Sequence, residues 1–435
     1  MFCREALAAL NPKYKPFDRL KLSDTLVPAW YEVEKANLIS EQEQVSKVAI
    51  TADGWSAVTQ DHYLTVTVHY VWKGQLKEKV LKTKAVFEAQ TGHAVAEEIN
   101  EILEKFKIQD KVVAATVDNA ASMSVAVKRL QLLKFGCFAH TLNVAAQKIY
   151  TILSVSNWAA RVRAVFVWMK RSHMAKIVLK EKQQLLSLPL HQLILDVRTR
   201  WSSLYQMIQR FFEQYPAIQA TLMDPRIRKH AEKDRVNSSE SADLRKTEEF
   251  VELMELFHTS TLCVSGDRYP TCSQIIPILQ KLKSHFTACQ GDSAFVVAIK
   301  QVIWDDLSKR YKDRDVRFFL EESTVMDPRR FHYRLEEDVI WGRLRRRAVA
   351  DHHRVEPVAE PMKQIQRQDL VVNEEQRPAA AERKNTACLE DLFSEDDNEQ
   401  QPMLPQMRIE DRVDQEVQVY RGLPCVSMQT NTAIW

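Results

Sequence analysis

Val48-Ala49-Ile50-Thr51-Ala52-Asp53-Gly54-Trp55-Ser56, followed farther on by Val112-Val113-Ala114-Ala115-Thr116-Val117-Asp118-Asn119, decides how this chain folds. Each run is apolar and β-branched, and each closes on an aspartate, which puts a carboxylate at a strand end. Strands lying side by side would bring the two carboxylates to one edge of a sheet. Such a pair suits a hydrated divalent cation. Taken singly, Asp53-Gly54 is also an ordinary turn and Asp118-Asn119 an ordinary helix cap. The pairing favours the metal-site reading, because the spacing leaves room for a strand meander and one crossover.

Working outward, Tyr63 to Val71 alternates as a half-buried strand should, and Val80 to Phe87 forms a third strand after a turn at Lys73-Gly74. An amphipathic helix is expected over about His93 to Lys105, with Val95, Ile99, Ile102 and Leu103 on one stripe. After the strand ending at Asp118 come a helix over about Ser122 to Leu133 and a short strand over about Phe135 to Phe138. The order strand, strand, strand, helix, strand, helix, strand is that of the ribonuclease H-like α/β fold, a mixed sheet with helices packed on it. In that fold, metal-binding acids sit on the first strand and at the end of the fourth, the places of Asp53 and Asp118.

The expected organisation is a helical lead-in at 1–47, a ribonuclease H-like core at 48–140, an all-helical insertion at 141–350, a disordered linker at 351–414, and the start of a dimerisation region at 415–435. Within the lead-in, Pro28 precedes a helix over Ala29 to Gln44. Long helical periodicities run over Leu142 to Lys182, Leu204 to Leu222, Lys246 to Thr261, Ile275 to Thr287, Ala294 to Tyr311 and Arg330 to Arg347. The linker is rich in Glu, Gln, Asp and Arg, with Pro357, Pro361, Pro378, Pro402 and Pro405. It holds an acidic knot, Leu389-Glu390-Asp391-Leu392-Phe393-Ser394-Glu395-Asp396-Asp397, which is either solvated chain or a short docking peptide.

Composition sets outer limits. The 435 residues, 45% of them apolar, allow more than one domain and a sizeable core. Only 8 glycines argue for long helices over many tight turns. The net charge of +3 carries no whole-chain signal for nucleic acid, so a basic face must be local. Seven scattered cysteines, with no Cys-x-x-Cys pair, fit a reducing compartment. No secretory segment opens the chain and no apolar run approaches the ~20 residues of a bilayer span, so a soluble intracellular chain without a membrane partner is expected. The start at Met1-Phe2-Cys3 reads as a fragment or a shortened gene product.

Three further motifs have a functional and a structural reading each. Cys137-Phe138-Ala139-His140 is half of a zinc ligand set without a second half, or a thiol at a strand end and a histidine at a helix start. Arg198-Thr199-Arg200-Trp201 joins two cations to an aromatic plane. It would hold phosphates and stack a base, or pack Trp201 in a core with the arginines in solvent. Arg343-Leu344-Arg345-Arg346-Arg347 is a basic helix end, a phosphate contact or a nuclear address.

In register along the chain, these blocks resemble the hAT superfamily of transposases, and most of all the domesticated zinc-finger BED-domain proteins derived from it. Thr51 to Ser56 resembles the first catalytic block and Thr116 to Met123 the second. Cys137 to Asn143 resembles the Cys-x-x-His block, and Asp196 to Ser203 the Thr-Arg-Trp block of the helical insertion. Met326-Asp327-Pro328-Arg329 resembles a later block, and Glu416 to Tyr420 the lead-in to dimerisation. The chain departs from the family in two places. No zinc-finger ligand set precedes Val48, and no Ser-Glu-Arg-x-Phe-Ser block carrying the third catalytic acid follows.

The resemblance implies Mg²⁺-dependent cleavage and strand transfer of DNA with three carboxylates, of which this chain supplies Asp53 and Asp118. The expectation is therefore a nuclear, DNA- or chromatin-associated regulator of transcription that is not an enzyme. It would need no cofactor and carry no zinc finger, with Mg²⁺ held weakly if at all by Asp53 and Asp118. Arg198, Arg200 and Trp201 would contact DNA, and Cys137 and His140 would belong to the family motif. A homo- or heterodimer partner of the same family is implied. The alternatives are a metal-dependent transposase or nuclease completed by a partner, and a scaffold that binds only proteins.

Overall fold

Helical backbone runs unbroken from Arg19 to Glu43, so Pro28 neither opens a helix nor ends one. In the computed structural model, which describes residues 18–57, 59–86, 91–234, 236, 241–266, 271–329, 336–355 and 408–426, helix α1 spans Val27–Glu43 with Pro28 in its first turn. A π-turn at Leu22–Leu26 leads in, so helix begins before the expected Ala29.

The alternating runs form an antiparallel meander of β1 (Val48–Ser56), β2 (His62–Trp72) and β3 (Gln75–Val86). Lys73 and Gly74, with φ of 49° and 71°, make the two-residue turn whose twist matches the strands. After α2 (Gly92–Lys105), β4 (Val112–Val117) lies parallel to β1. After α3 (Ala121–Arg129), β5 (Leu133–Gly136) lies parallel to β4. The sheet order β3-β2-β1-β4-β5 is the ribonuclease H-like arrangement expected from the element order.

One face of the sheet packs Ile50, Val66, Val68, Ala115 and Val117 against Ile99, Ile102 and Leu103 of α2 and Ala126 and Val127 of α3. Gly92 allows α2 and α3 to close. A Cβ there would stand 2.4 Å from the Val125 Cβ and 2.9 Å from the Ser122 carbonyl oxygen. The opposite face, through Ala114 and Phe135, joins a second and larger core built by helices.

Those helices are α4 (Phe138–Gln147), α5 (Leu153–Arg171), α6 (His173–Leu185), α7 (Trp201–Leu222), α8 (Pro225–Lys233), α9 (Ser241–Cys263), α10 (Ile275–His285), α11 (Ala294–Arg310) and α12 (Arg314–Val325). Their core centres on Trp158, Phe166, Trp201, Phe211, Phe250 and Phe257. The single periodicity expected over Leu142 to Lys182 is three helices. Ile152 and Ser172 are extended, and the Ser172 hydroxyl caps α6 by accepting from the Ala175 amide at 3.1 Å. Apolar spacing carried across both breaks and hid them.

Residues 336–424 form a second unit, apart from residues 1–335 and 425–435. In it α13 (Glu337–Val355) pairs with α14 (Ile409–Gly422) through a Trp341–Tyr420 ring contact at 5.9 Å, an Arg421–Asp338 ion pair at 3.0 Å and an Arg345–Asp414 ion pair. The helix expected at Arg330 begins at Glu337 among the described residues and runs on to Val355. The expected linker is thus helical at 351–355 and 409–414, and the remainder, with the acidic knot, lies outside the described residues. No described helix is long and apolar enough to cross a membrane.

Candidate functional site

The parallel register of β1 and β4 pairs Thr51 with Thr116 and Ala52 with Val117 and stops there, so Asp53 and Asp118 follow side by side. Asp118 lies just past the end of β4, whereas β1 runs on three residues beyond Asp53, to Ser56, against the strand end expected there. Neighbouring strands stand about 4.8 Å apart. Ala52 and Val117 point into the core beneath α2 and α3. Side chains alternate along strands, which sends both aspartates to the opposite face, the one that meets the helices. Asp53 is exposed, and its carboxylate makes no hydrogen bond among the described residues. Asp118 is half-buried, and its Oδ1 accepts from the Ala120 amide at 2.9 Å, ahead of α3. Asp118 is not the N-cap of α3, which is Ala120 without a side-chain cap; its Oδ1 instead closes the turn that leads into the helix.

Two carboxylates fit one hydrated Mg²⁺, an ion that keeps most of its waters and takes few protein ligands. Among the described residues no group of three or more His, Cys, Asp or Glu side chains could hold a metal. Cys137 and His140 therefore do not extend the pair into a larger ligand set. Cys137 is the N-cap residue of α4, and His140 is in the first turn.

What that Cys-x-x-His segment does is join the blocks. The Cys137 amide donates to the Val117 carbonyl at 2.7 Å, beside Asp118. Thr141 donates to the Cys137 carbonyl at 3.0 Å and accepts from Asn119 Nδ2 at 3.2 Å. Farther along α4, Asn143 Oδ1 accepts from the Trp201 amide at 3.1 Å, and Gln147 Nε2 donates to the Thr199 carbonyl at 2.7 Å. One helix thus ties the Asp118 edge to the Arg198–Trp201 loop. At 1.5 Å per residue that loop sits about 9–15 Å along the axis from the edge.

Within the loop, Arg198 and Arg200 are exposed. Trp201 is not, which corrects the stacking role expected for it. At 2% exposure its ring lies edge-on to Phe257 at 4.9 Å and beside Tyr205 and His258. It anchors α7, and no base can reach it. Asp196 anchors the other end of the loop. Its fully buried carboxylate takes two hydrogen bonds from Arg163 (2.7 and 2.6 Å) and one from Tyr150 (3.2 Å). Burial pushes this carboxyl up, but Arg163 pulls it further down, to below the usual range. Ser203 fastens the turn by accepting from the Val197 amide at 2.7 Å and donating to backbone carbonyls.

The exposed aromatic surface lies on β1 instead. Trp55, 43% exposed, is paired across the strands with Tyr63 and stacks on it at 4.6 Å and 15°. Its indole N–H donates to Thr65 Oγ1 at 3.2 Å. Trp55 is two residues from Asp53, so strand alternation puts ring and carboxylate on one face. That spacing was the signal in the sequence, masked by the stronger basic context of Trp201. Asp327, in the Met-Asp-Pro-Arg block, is structural: buried with Arg329, it accepts from the Arg329 side chain at 2.8 Å and from Ser273 at 2.5 Å.

Residues 51–138 match the family model for the ZBED1 RNase-like domain, and residues 135–249 match that for the ZBED1 RNase-like helical domain. The chain is 24% identical to zinc finger BED domain-containing protein 4 of Homo sapiens, over 74% of this chain and 28% of that protein. It is 24% identical to a putative AC transposase of Zea mays, over 51% of this chain and 30% of that one. To a putative transcriptional regulator, tpeD, of Talaromyces stipitatus it is 21% identical, over 62% of this chain and 36% of that one. The chain spans less than half the length of the curated relatives it matches.

The sheet order, the paired edge acids and the two adjoining matches define a transposase-type core, a ribonuclease H-like domain carrying a helical insertion. Within that class the chain is similar to zinc-finger BED-domain proteins and AC-type transposases, at about 24% identity over half to three quarters of its length.

Proposed function

We propose that this chain is a DNA-associated nuclear protein that regulates transcription and performs no phosphodiester chemistry of its own. One observation carries the reading: Asp53 and Asp118 reach one edge, and among the described residues no third acid joins them. In-line displacement at a phosphodiester takes metal on both the attacking and the leaving oxygen. A single weakly held ion does not meet that demand. What remains useful at the edge is recognition. Arg198 and Arg200 project from a loop tied to the same helix as Asp118, and the Trp55–Tyr63 stack offers an open ring face to an unpaired base.

The test is binding of labelled duplex and hairpin DNA at two salt concentrations. Affinity falls steeply with salt, and Arg198→Glu with Arg200→Glu reduces the log–log slope by about two, near 0.9 per lost phosphate contact. No DNA affinity at low salt overturns the reading in favour of a protein-only scaffold. Incubation with the same DNA in Mg²⁺ or Mn²⁺ leaves it intact. A second reading, an enzyme completed by another polypeptide of the family, is favoured by the exposed and unpartnered Asp53. Cleavage that disappears with Asp53→Ala establishes it.

A further inference from the structure

Far from the acid edge, a cleft of about 490 Å³ lies between the end of α5, one side of α6 and the irregular strap at 190–193. Its floor is aliphatic: Met169, Leu179 and Leu193 are buried there, and Leu190 stands on the rim, 51% exposed. Around the rim are Lys170, Lys176 and Lys180, all exposed and none in an ion pair among the described residues. Lys170 suits the carboxyl end of α5, where a cation meets the helix dipole. Lys176 and Lys180 have no such role. They stand four apart on α6, a spacing at which like charges repel.

The strap is pinned, so the cleft exists before anything enters it. Gln183 donates to the His191 carbonyl and to Gln214 Oε1, each at 2.9 Å. Gln214 donates to the Pro189 carbonyl at 3.1 Å, and Arg210 to the Gln192 carbonyl at 2.7 Å. A preformed wall lowers the ordering cost of binding.

We infer that this cleft binds an acidic peptide segment of a partner protein, with aliphatic side chains on the Met169–Leu179–Leu193 floor and carboxylates on the three lysines. The cations are spread over two helices and more than one turn, so a single anionic head group would answer only one of them. No Phe, Tyr, Trp or arginine lines the cleft, and its one imidazole, His191, is held by the Glu213 carboxylate at 2.9 Å, so it lacks the broad platform on which a nucleobase stacks. Charge complementarity and aliphatic lining together point to peptide.

The test uses the full chain and a fluorescein-labelled peptide of paired leucines separated by glutamates and aspartates. Anisotropy rises saturably. Lys176→Glu with Lys180→Glu weakens binding roughly tenfold, Leu190→Ser weakens it severalfold, and replacing the probe's leucines by serine abolishes it. Arg198→Glu leaves it unchanged, which separates the cleft from the DNA surface. All three positions are exposed, and unaltered thermal midpoints confirm that the variants fold. The inference is overturned by an absence of saturable binding, or by binding indifferent to lysine reversal. It is equally overturned by a labelled single-stranded oligonucleotide that displaces the peptide and shows the same lysine dependence.

Discussion

Four aspartates in this chain close or open recognisable sequence blocks, and the structure treats them in two opposite ways. At the sheet edge, Asp53 is exposed without a partner and Asp118 spends one oxygen on a backbone amide. In the helical region, the Asp196 side chain is fully buried against Arg163, and Asp327 is 2% exposed against an Arg329 that is 3% exposed. The same side chain is thus kept available in one region and consumed as a structural tie in the other. An aspartate in a family-like block need not belong to the chemistry. What separates the two kinds is a facing arginine, which nothing in the local sequence of Asp196 discloses.

The sharpest way to break this contrast is Asp327→Ala. Removing the carboxylate takes the counter-charge from a buried guanidinium, and the loss should reach about 3–5 kcal/mol in urea unfolding. Asp53→Ala should sit far below that. Equal losses at the two sites would abolish the distinction between edge and tie. Arg163→Ala should act in the same direction as Asp327→Ala and more weakly, because Arg163 is partly solvated. Both acids also leave a mark on acid unfolding. Burial raises each carboxyl, but Arg163 for Asp196, and Arg329 with Ser273 for Asp327, outweigh it and hold each below the usual range. Their stabilisation is present above the unfolded carboxylate pKa, about 3.9, and is lost as pH falls through the lower folded value.

Next in size is Gly92→Ala, which tests how the sheet domain closes. The added methyl would overlap Val125 at its branch point, which cannot swing away, so α2 must move off α3. A loss of roughly 1–3 kcal/mol is expected. A neutral result would mean that the sheet domain yields where the helical core does not.

The sheet was legible because strand alternation and the two terminal aspartates are local signals, repeated in β1, β2 and β4. The pairing of Asp53 with Asp118 followed from element order alone. The helical region was legible only as helix. Its breaks at Ile152 and Ser172 fall inside an apolar periodicity that continues across them, and α8 and α12 carry no long apolar stripe. Trp201 and Trp55 show the same limit at the site. Their exposure depends on the rings packed around them: Phe257 covers Trp201, whereas Trp55 lies at a strand end on the open side of Tyr63.

A smaller effect distinguishes the helical core by pH. His258 stacks on Tyr205 at 4.7 Å, and its buried Nδ1 has no hydrogen-bond partner among the described residues. Burial lowers its pKa from 6.5. The unfolded chain therefore binds the proton more readily, so stability is full above about pH 6.5 and declines as pH falls through the folded value. His258→Phe removes this component. Between pH 7 and pH 5, thermal midpoints of the variant should fall less than those of the parent chain. Parallel curves would show that His258 is charged in place.

The smallest effect in stability is the most informative about the edge. Asp53→Asn should change unfolding by no more than about 0.5 kcal/mol, as for a surface substitution away from any tie. Asp118→Asn should keep its turn, since asparagine also accepts from a backbone amide. The consequence lies in binding. Without divalent ions the two carboxylates repel a phosphate brought up by Arg198 and Arg200, so Asp53→Asn should tighten DNA binding about twofold to threefold in chelator. Millimolar Mg²⁺ held between the aspartates would cancel that repulsion in the parent chain and leave the variant unmoved. The two affinities then converge as Mg²⁺ is added. If the gap persists at every Mg²⁺ concentration, the edge holds no ion, and its carboxylates act on DNA only by repulsion.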